Sequence, residues 1–192
     1  MVRPFACLFF TATLAASWLA MTATHEFGHV LHVWLSGGRV VGVELPPRGL
    51  GHTRVSLNPH PQFVAWGGAC WGSILGTSAI VFTRRGALSR WCGRFFAGTC
   101  LIANGAYLGI GGLFGDPNGA DDAHELLRQG AHAWQLQLFG LVAASAGLVV
   151  RHRLGRRLGF DLAIQIADRR TLAMVLALAG SCLVAGCLLP AE

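Results

Sequence analysis

Five apolar stretches divide this chain, each close to the ~20 residues that a helix needs to cross a bilayer. They run from about Pro4 to Trp34, Phe63 to Phe82, Phe95 to Phe114, Trp134 to Val150 and Leu172 to Leu189. Backbone polar groups cannot be left unpaired in lipid, so such stretches are expected to form helices. Composition agrees: 53% of the 192 residues are hydrophobic and 12% are charged, where a soluble domain carries about 25% charged residues. Mean hydropathy is +0.51. The expected fold is therefore an all-α, multi-pass integral membrane protein of about five transmembrane helices. Glycine is abundant, with 26 residues, as in "GGACWGSILG" and "NGAYLGIGGLFG", where small residues let membrane helices approach closely. The chain reads as a single membrane-embedded domain, 1–192. Its compact core covers about 5–150, and an amphipathic loop and a last helix follow over 151–192. The first stretch reads as a span rather than a cleaved leader, because the residues before His25 make a poor small-x-small cleavage site.

The formal charge is +6 and every one of the fifteen basic residues is an arginine. They lie between apolar blocks instead of forming one patch, so they orient helices and give no sign of nucleic-acid binding. Arg3, Arg84, Arg85, Arg90, Arg94, Arg151, Arg153, Arg156, Arg157, Arg169 and Arg170 fall on one side. Arg39, Arg48, Arg54 and Arg128 fall on the other. With five spans, the first side is expected in the cytoplasm and the C-terminus outside. The loop containing "RHRLGRRLGF" would be drawn to anionic lipid. None of the six cysteines forms a CxxC pair and nearly all lie in apolar runs. They read as small buried hydrophobes, not as a disulfide framework or a thiolate zinc site.

Between the first two apolar stretches, residues 37–61 are not helical in pattern. Val40, Val43 and Leu45 precede Pro46-Pro47, and Thr53, Val55 and Leu57 follow. Two short strand-like runs around a Pro/Gly turn predict a β-hairpin after the first helix. Its open edges require a place at the interface or against protein.

The first apolar stretch ends in "MTATHEFGHVLHVW". Ionisable groups at membrane depth cost about 2.5–3.5 kcal/mol each on insertion scales, and so mark function. "HEFGH" is HExxH: on a helix, His25 and His29 at i and i+4 share one face and can offer two imidazoles to one zinc ion. Glu26 lies round the helix from them, suited to act as general base for a metal-activated water. His32 is on the same face, but its backbone lies about 10 Å along the axis from that of His25. One tetrahedral ion does not bring both together with His29, so His32 reads as a supporting, groove or interfacial residue. The third ligand has to come from elsewhere. Acidic residues number nine, and four of them, Asp116, Asp121, Asp122 and Glu125, fall in "FGDPNGADDAHELL". The same run reads as a helix start with Asp121 or Asp122 near the cap. A carboxylate from it would complete a two-His, one-carboxylate catalytic zinc site with a position left for water.

HEFGH near the end of the first membrane helix, the glycine-rich hairpin, "GGACWGSILG" and an aspartate motif after a later helix together resemble the site-2 protease family. Its members are intramembrane zinc metallopeptidases, and the likeness is closest to small bacterial, core-only members over roughly Phe5 to Val150. The resemblance implies a compact helix bundle with a water-accessible Zn2+ site in a bacterial inner membrane. It also implies membrane-protein or transmembrane-peptide substrates met within the lipid bilayer. His25 and His29 match the family's metal ligands and Glu26 its catalytic base. The family aspartate lies in an NPxDG or LDG motif, whereas this chain has "GDPNGADDAHEL". Asp122 fits that position best, with Asp121 and Asp116 as alternatives. Asn104, in "LIANGAYLG", is similar to a polar residue that helps hold the substrate strand, and an asparagine bonding between helices is the other reading. The family's zinc site lies nearer the cytosolic face, while the arginine count sets His25 toward the opposite side. A different class, a non-proteolytic zinc-binding membrane scaffold or transporter, has no use for Glu26 between its ligands. A membrane-anchored zincin would place HExxH on a soluble helix with a downstream glutamate such as Glu125 as ligand.

Overall fold

The computed structural model describes residues 2–46, 49–84, 87–114 and 121–155, together with 177 and 180. Its elements in chain order are α1 (Val2–Leu35), β1 (Arg39–Glu44), β2 (His52–Leu57), α2 (Pro61–Phe82), α3 (Ala87–Phe114), α4 (Asp122–Arg128) and α5 (Ala133–Gly155). The mostly helical architecture and the short hairpin after the first helix follow the sequence expectation.

α1 stops because Gly37 takes φ 75°, a left-handed conformation that side chains disfavour. The Gly38 N–H then reaches the Val33 carbonyl (2.8 Å) and the Gly37 N–H the Trp34 carbonyl (3.1 Å). This pair of bonds satisfies the last carbonyls of the helix and turns the chain sharply into β1. β1 and β2 pair antiparallel, Val43 opposite Thr53 and Glu44 opposite His52, with an irregular register between Arg39 and Gly42. Arg54 ties back to Glu44 at 3.1 Å. Pro61 opens α2, where its missing N–H costs nothing.

Glycines set the helix spacings. A Cβ on Gly67 of α2 would come within 2.5 Å of the Gly28 carbonyl oxygen of α1, and one on Gly140 of α5 within 2.5 Å of the Gly109 Cα of α3. Among the described residues, two buried clusters fill the bundle. Phe9, Trp91, Phe95 and Leu154 pack in one, and Ala65, Ala69, Leu108, Leu126 and Leu136 in the other, against α4. The outward faces stay apolar: Leu141, Val142, Leu148 and Val149 of α5 are all exposed, a surface suited to lipid and costly in water.

Among the described residues three helices are long and apolar enough to cross a membrane: Pro61–Phe82, Ser89–Phe114 and Ala133–His152. The expected first span coincides with the 34-residue α1, which carries the ionisable cluster and is not one of the three. The expected fifth, Leu172–Leu189, falls outside the described residues but for 177 and 180, as does most of the C-terminal portion 151–192. α3 begins at Ala87, eight residues before the apolar stretch that marks it, because its first turns carry Arg90 and Arg94.

Candidate metal centre and active site

α1 presents His25 and His29 one turn apart, with ring centroids 4.9 Å apart and edge-on. What fixes each ring is the partner of its Nδ1. His25 Nδ1 lies 2.6 Å from Asn104 Oδ1 on α3, and His29 Nδ1 lies 2.9 Å from the Val64 carbonyl on α2. Both partners are pure acceptors, so each imidazole carries its proton on Nδ1 and turns a bare Nε2 to the other side. The two Nε2 atoms are 3.2 Å apart. Asp122 Oδ2, at the start of α4, is 2.9 Å from that of His25 and 3.2 Å from that of His29.

Three electron-rich atoms at these separations repel unless a cation or a proton lies among them. Tetrahedral zinc with bonds of about 2 Å sets its ligands about 3.3 Å apart, so this donor set fits the ion. His25, His29 and Asp122 form a group that could hold a metal ion, all donor atoms lying within 4.8 Å of one another. When a proton instead of an ion lies among these atoms, burial alone would still raise the Asp122 carboxyl, but the charge then carried on the imidazole side, His29 foremost, outweighs it and holds that carboxyl below the usual carboxylate range. α2 leaves room beside the donors. A Cβ on Gly68 would lie 2.5 Å from His25 Nε2 and run into His29 Nε2.

Glu26 is 4% exposed and its Oε2 accepts a hydrogen bond from Thr53 Oγ1 of β2 at 2.7 Å. With His25, His29 and Asp122 it lines a cavity of about 600 Å³ whose walls include Trp18, Met21, Leu50, Gly51, Val55, Asn104 and Tyr107. Tyr107 stands edge-on to His25, centroids 5.8 Å apart, and its hydroxyl accepts from the Asp122 backbone N–H at 3.2 Å.

The three candidate aspartates separate by position. Asp121 is the N-cap of α4; its Oδ1 accepts from the His124 N–H at 2.7 Å. Asp122 is the one turned to the histidines. Asp116 lies outside the described residues. Glu125 is engaged by Arg128 at 2.6 Å and is not in the donor group. His32 is a link between helices: Nδ1–H donates to the Phe63 carbonyl (2.6 Å), Nε2 accepts from Trp71 Nε1–H (3.0 Å), and its ring stacks on Phe63. Asn104, 1% exposed, donates its amide to the Cys100 carbonyl at 2.8 Å while accepting from His25. To meet a substrate strand, that amide would have to turn.

Sequence reading missed Thr53, Val64, Gly68 and Tyr107. Val64 acts through its backbone carbonyl, which has no side-chain signature. Gly68 sits inside "GGACWGSILG", where helix packing alone accounts for glycine.

Two imidazoles at i and i+4, a carboxylate from a distant helix and a glutamate beside the first imidazole define the class of HExxH metal sites. A family model described as Peptidase M50B-like matches residues 4–108, taking in α1, the hairpin, α2 and most of α3. The chain belongs to this peptidase family, the site-2 protease type, and is at family level a membrane metalloprotease. Comparison with curated proteins and with solved structures gave no significant match. The family match ends at Leu108, so the place of Asp122 rests on geometry.

Proposed function

We propose that this chain is an intramembrane zinc endopeptidase that hydrolyses peptide bonds in or near transmembrane segments of membrane proteins. The observation that carries the reading is the convergence of two bare Nε2 atoms and Asp122 Oδ2, each ring being held from behind by an acceptor. His25, His29 and Asp122 would hold the ion. When bound, zinc supplies Lewis acidity: it polarises a carbonyl and brings the pKa of water down to about 7. Glu26, buried on the wall of the same cavity, takes a proton from the attacking water and returns it to the leaving amine. Asn104 and the Val64 carbonyl orient the rings, as outer partners of metal-binding histidines do.

A transmembrane helix hides its carbonyls in its own hydrogen bonds, so the substrate must unwind before it is cut. The two-stranded hairpin beside the cavity offers an edge to which an extended segment can add. A photo-crosslinker at Val41, exposed on β1, should then label substrate; labelling confined to the far face of the bundle would remove this part of the proposal.

The test of function is cleavage of a membrane-spanning reporter by the full chain in proteoliposomes. Cleavage that stops in Glu26→Gln, stops with a chelator and returns with zinc supports the reading. Equal cleavage by wild type and Glu26→Gln would contradict it.

A further inference from the structure

The hairpin does more than stand beside the cavity. Thr53 Oγ1–H donates to Glu26 Oε2 at 2.7 Å, across 27 residues of chain and from a different element. The backbone at Gly51 closes on the other carboxylate oxygen, since a Cβ there would lie 2.6 Å from Oε1. Glu26 is thus clasped by the Gly51–Thr53 segment, with Thr53 its hydrogen-bond donor among the described residues.

We infer that Thr53 is a positioning residue for Glu26: its hydroxyl fixes the rotation of the carboxylate within the cavity that His25, His29 and Asp122 also line. The inference rests on the reading of Glu26 as general base. A general base works only from within hydrogen-bond reach of the proton it removes, and a glutamate side chain has three torsions to order. A hydrogen bond to a charged group holds one arrangement against the others. Thr53 also pairs across the hairpin with Val43, so a strand that adds to the hairpin is registered against the same element that holds the base.

The experiment compares wild type, Thr53→Val, Thr53→Ser and Glu26→Gln, each as the full chain in proteoliposomes with its zinc content measured. Valine keeps the shape and removes the donor; serine keeps the donor. Two readouts are taken: kcat and KM for a membrane-spanning reporter, and the Glu26 carboxylate band in isotope-edited infrared difference spectra against Glu26→Gln. The expected result in Thr53→Val is a shifted band and a kcat lower by about 10- to 100-fold. KM and zinc per chain should stay at wild-type values, and Thr53→Ser should regain both the band and most of the rate. An unmoved band in Thr53→Val overturns the inference whatever the activity. So does a shifted band with unchanged kcat, or a Thr53→Ser variant as slow as Thr53→Val. Undiminished activity in Glu26→Gln instead overturns the general-base reading, and the infrared band still reports whether Thr53 holds this carboxylate.

Discussion

Gly68 faces His25 so closely that a Cβ at this position would lie 2.5 Å from the ring's Nε2. The absence of a side chain on α2 is therefore what leaves the donor atoms of α1 their common space. Gly68→Ala is expected to remove zinc from the protein while leaving helicity intact, since alanine favours a helix over glycine by about 1 kcal/mol. Zinc per chain, with circular dichroism as the control for fold, checks this. An alanine variant that binds zinc like wild type would show that the ion sits elsewhere.

Asn104 holds His25 from behind through Nδ1. Without that acceptor the ring loses both its orientation and its tautomer preference, and such losses cost about 10- to 100-fold in metal affinity. Asn104→Ala should weaken zinc by this factor in competition with a chelator of known affinity.

Asp121 and Asp122 are neighbours with different work. Asp121→Ala should keep zinc and lower stability by about 1 kcal/mol, the usual cost of losing an N-cap. Thermal unfolding of the zinc-loaded protein, read beside its zinc content, separates this from loss of a ligand.

His32 shares the face of His25 and His29 but bonds to Phe63 and Trp71. His32→Leu should therefore retain zinc and lose about 1 kcal/mol or more, because the Trp71 N–H is left without its acceptor. Loss of zinc with stability unchanged would contradict this assignment.

The N-terminal half of the candidate site was legible because helical spacing alone sets His25 and His29 on one face with Glu26 beside them: residues four apart share a face whatever else the chain does. The third member was harder. Asp122 lies 97 residues from His25, and no local period links the two; the scarcity of acids and the helix-start pattern in "ADDAHELL" pointed to that stretch, and the family resemblance favoured Asp122 within it. Capping explains why Asp121 differs from its neighbour, since the residue before the first helical turn bonds the helix's own N–H groups and the next is free to face inward. The hairpin followed from Pro/Gly punctuation and alternating apolar residues. Its bond from Thr53 to Glu26 could not be read, because the way a hairpin leans on a helix depends on the tight turn at Gly37 and Gly38. Apolar length located α2, α3 and α5 but placed the start of α3 too late, since a helix continues through arginines that a hydrophobic count excludes.

The central claim is that His25, His29 and Asp122 hold zinc with Glu26 free to act beside it. Zinc content of the purified, metal-replete protein tests it most directly, in wild type, Asp122→Ala, Asp116→Ala and Glu26→Gln. The account predicts near-stoichiometric zinc in wild type, Asp116→Ala and Glu26→Gln, and its loss in Asp122→Ala. Wild-type protein without zinc, or Asp122→Ala with as much zinc as wild type, would contradict it.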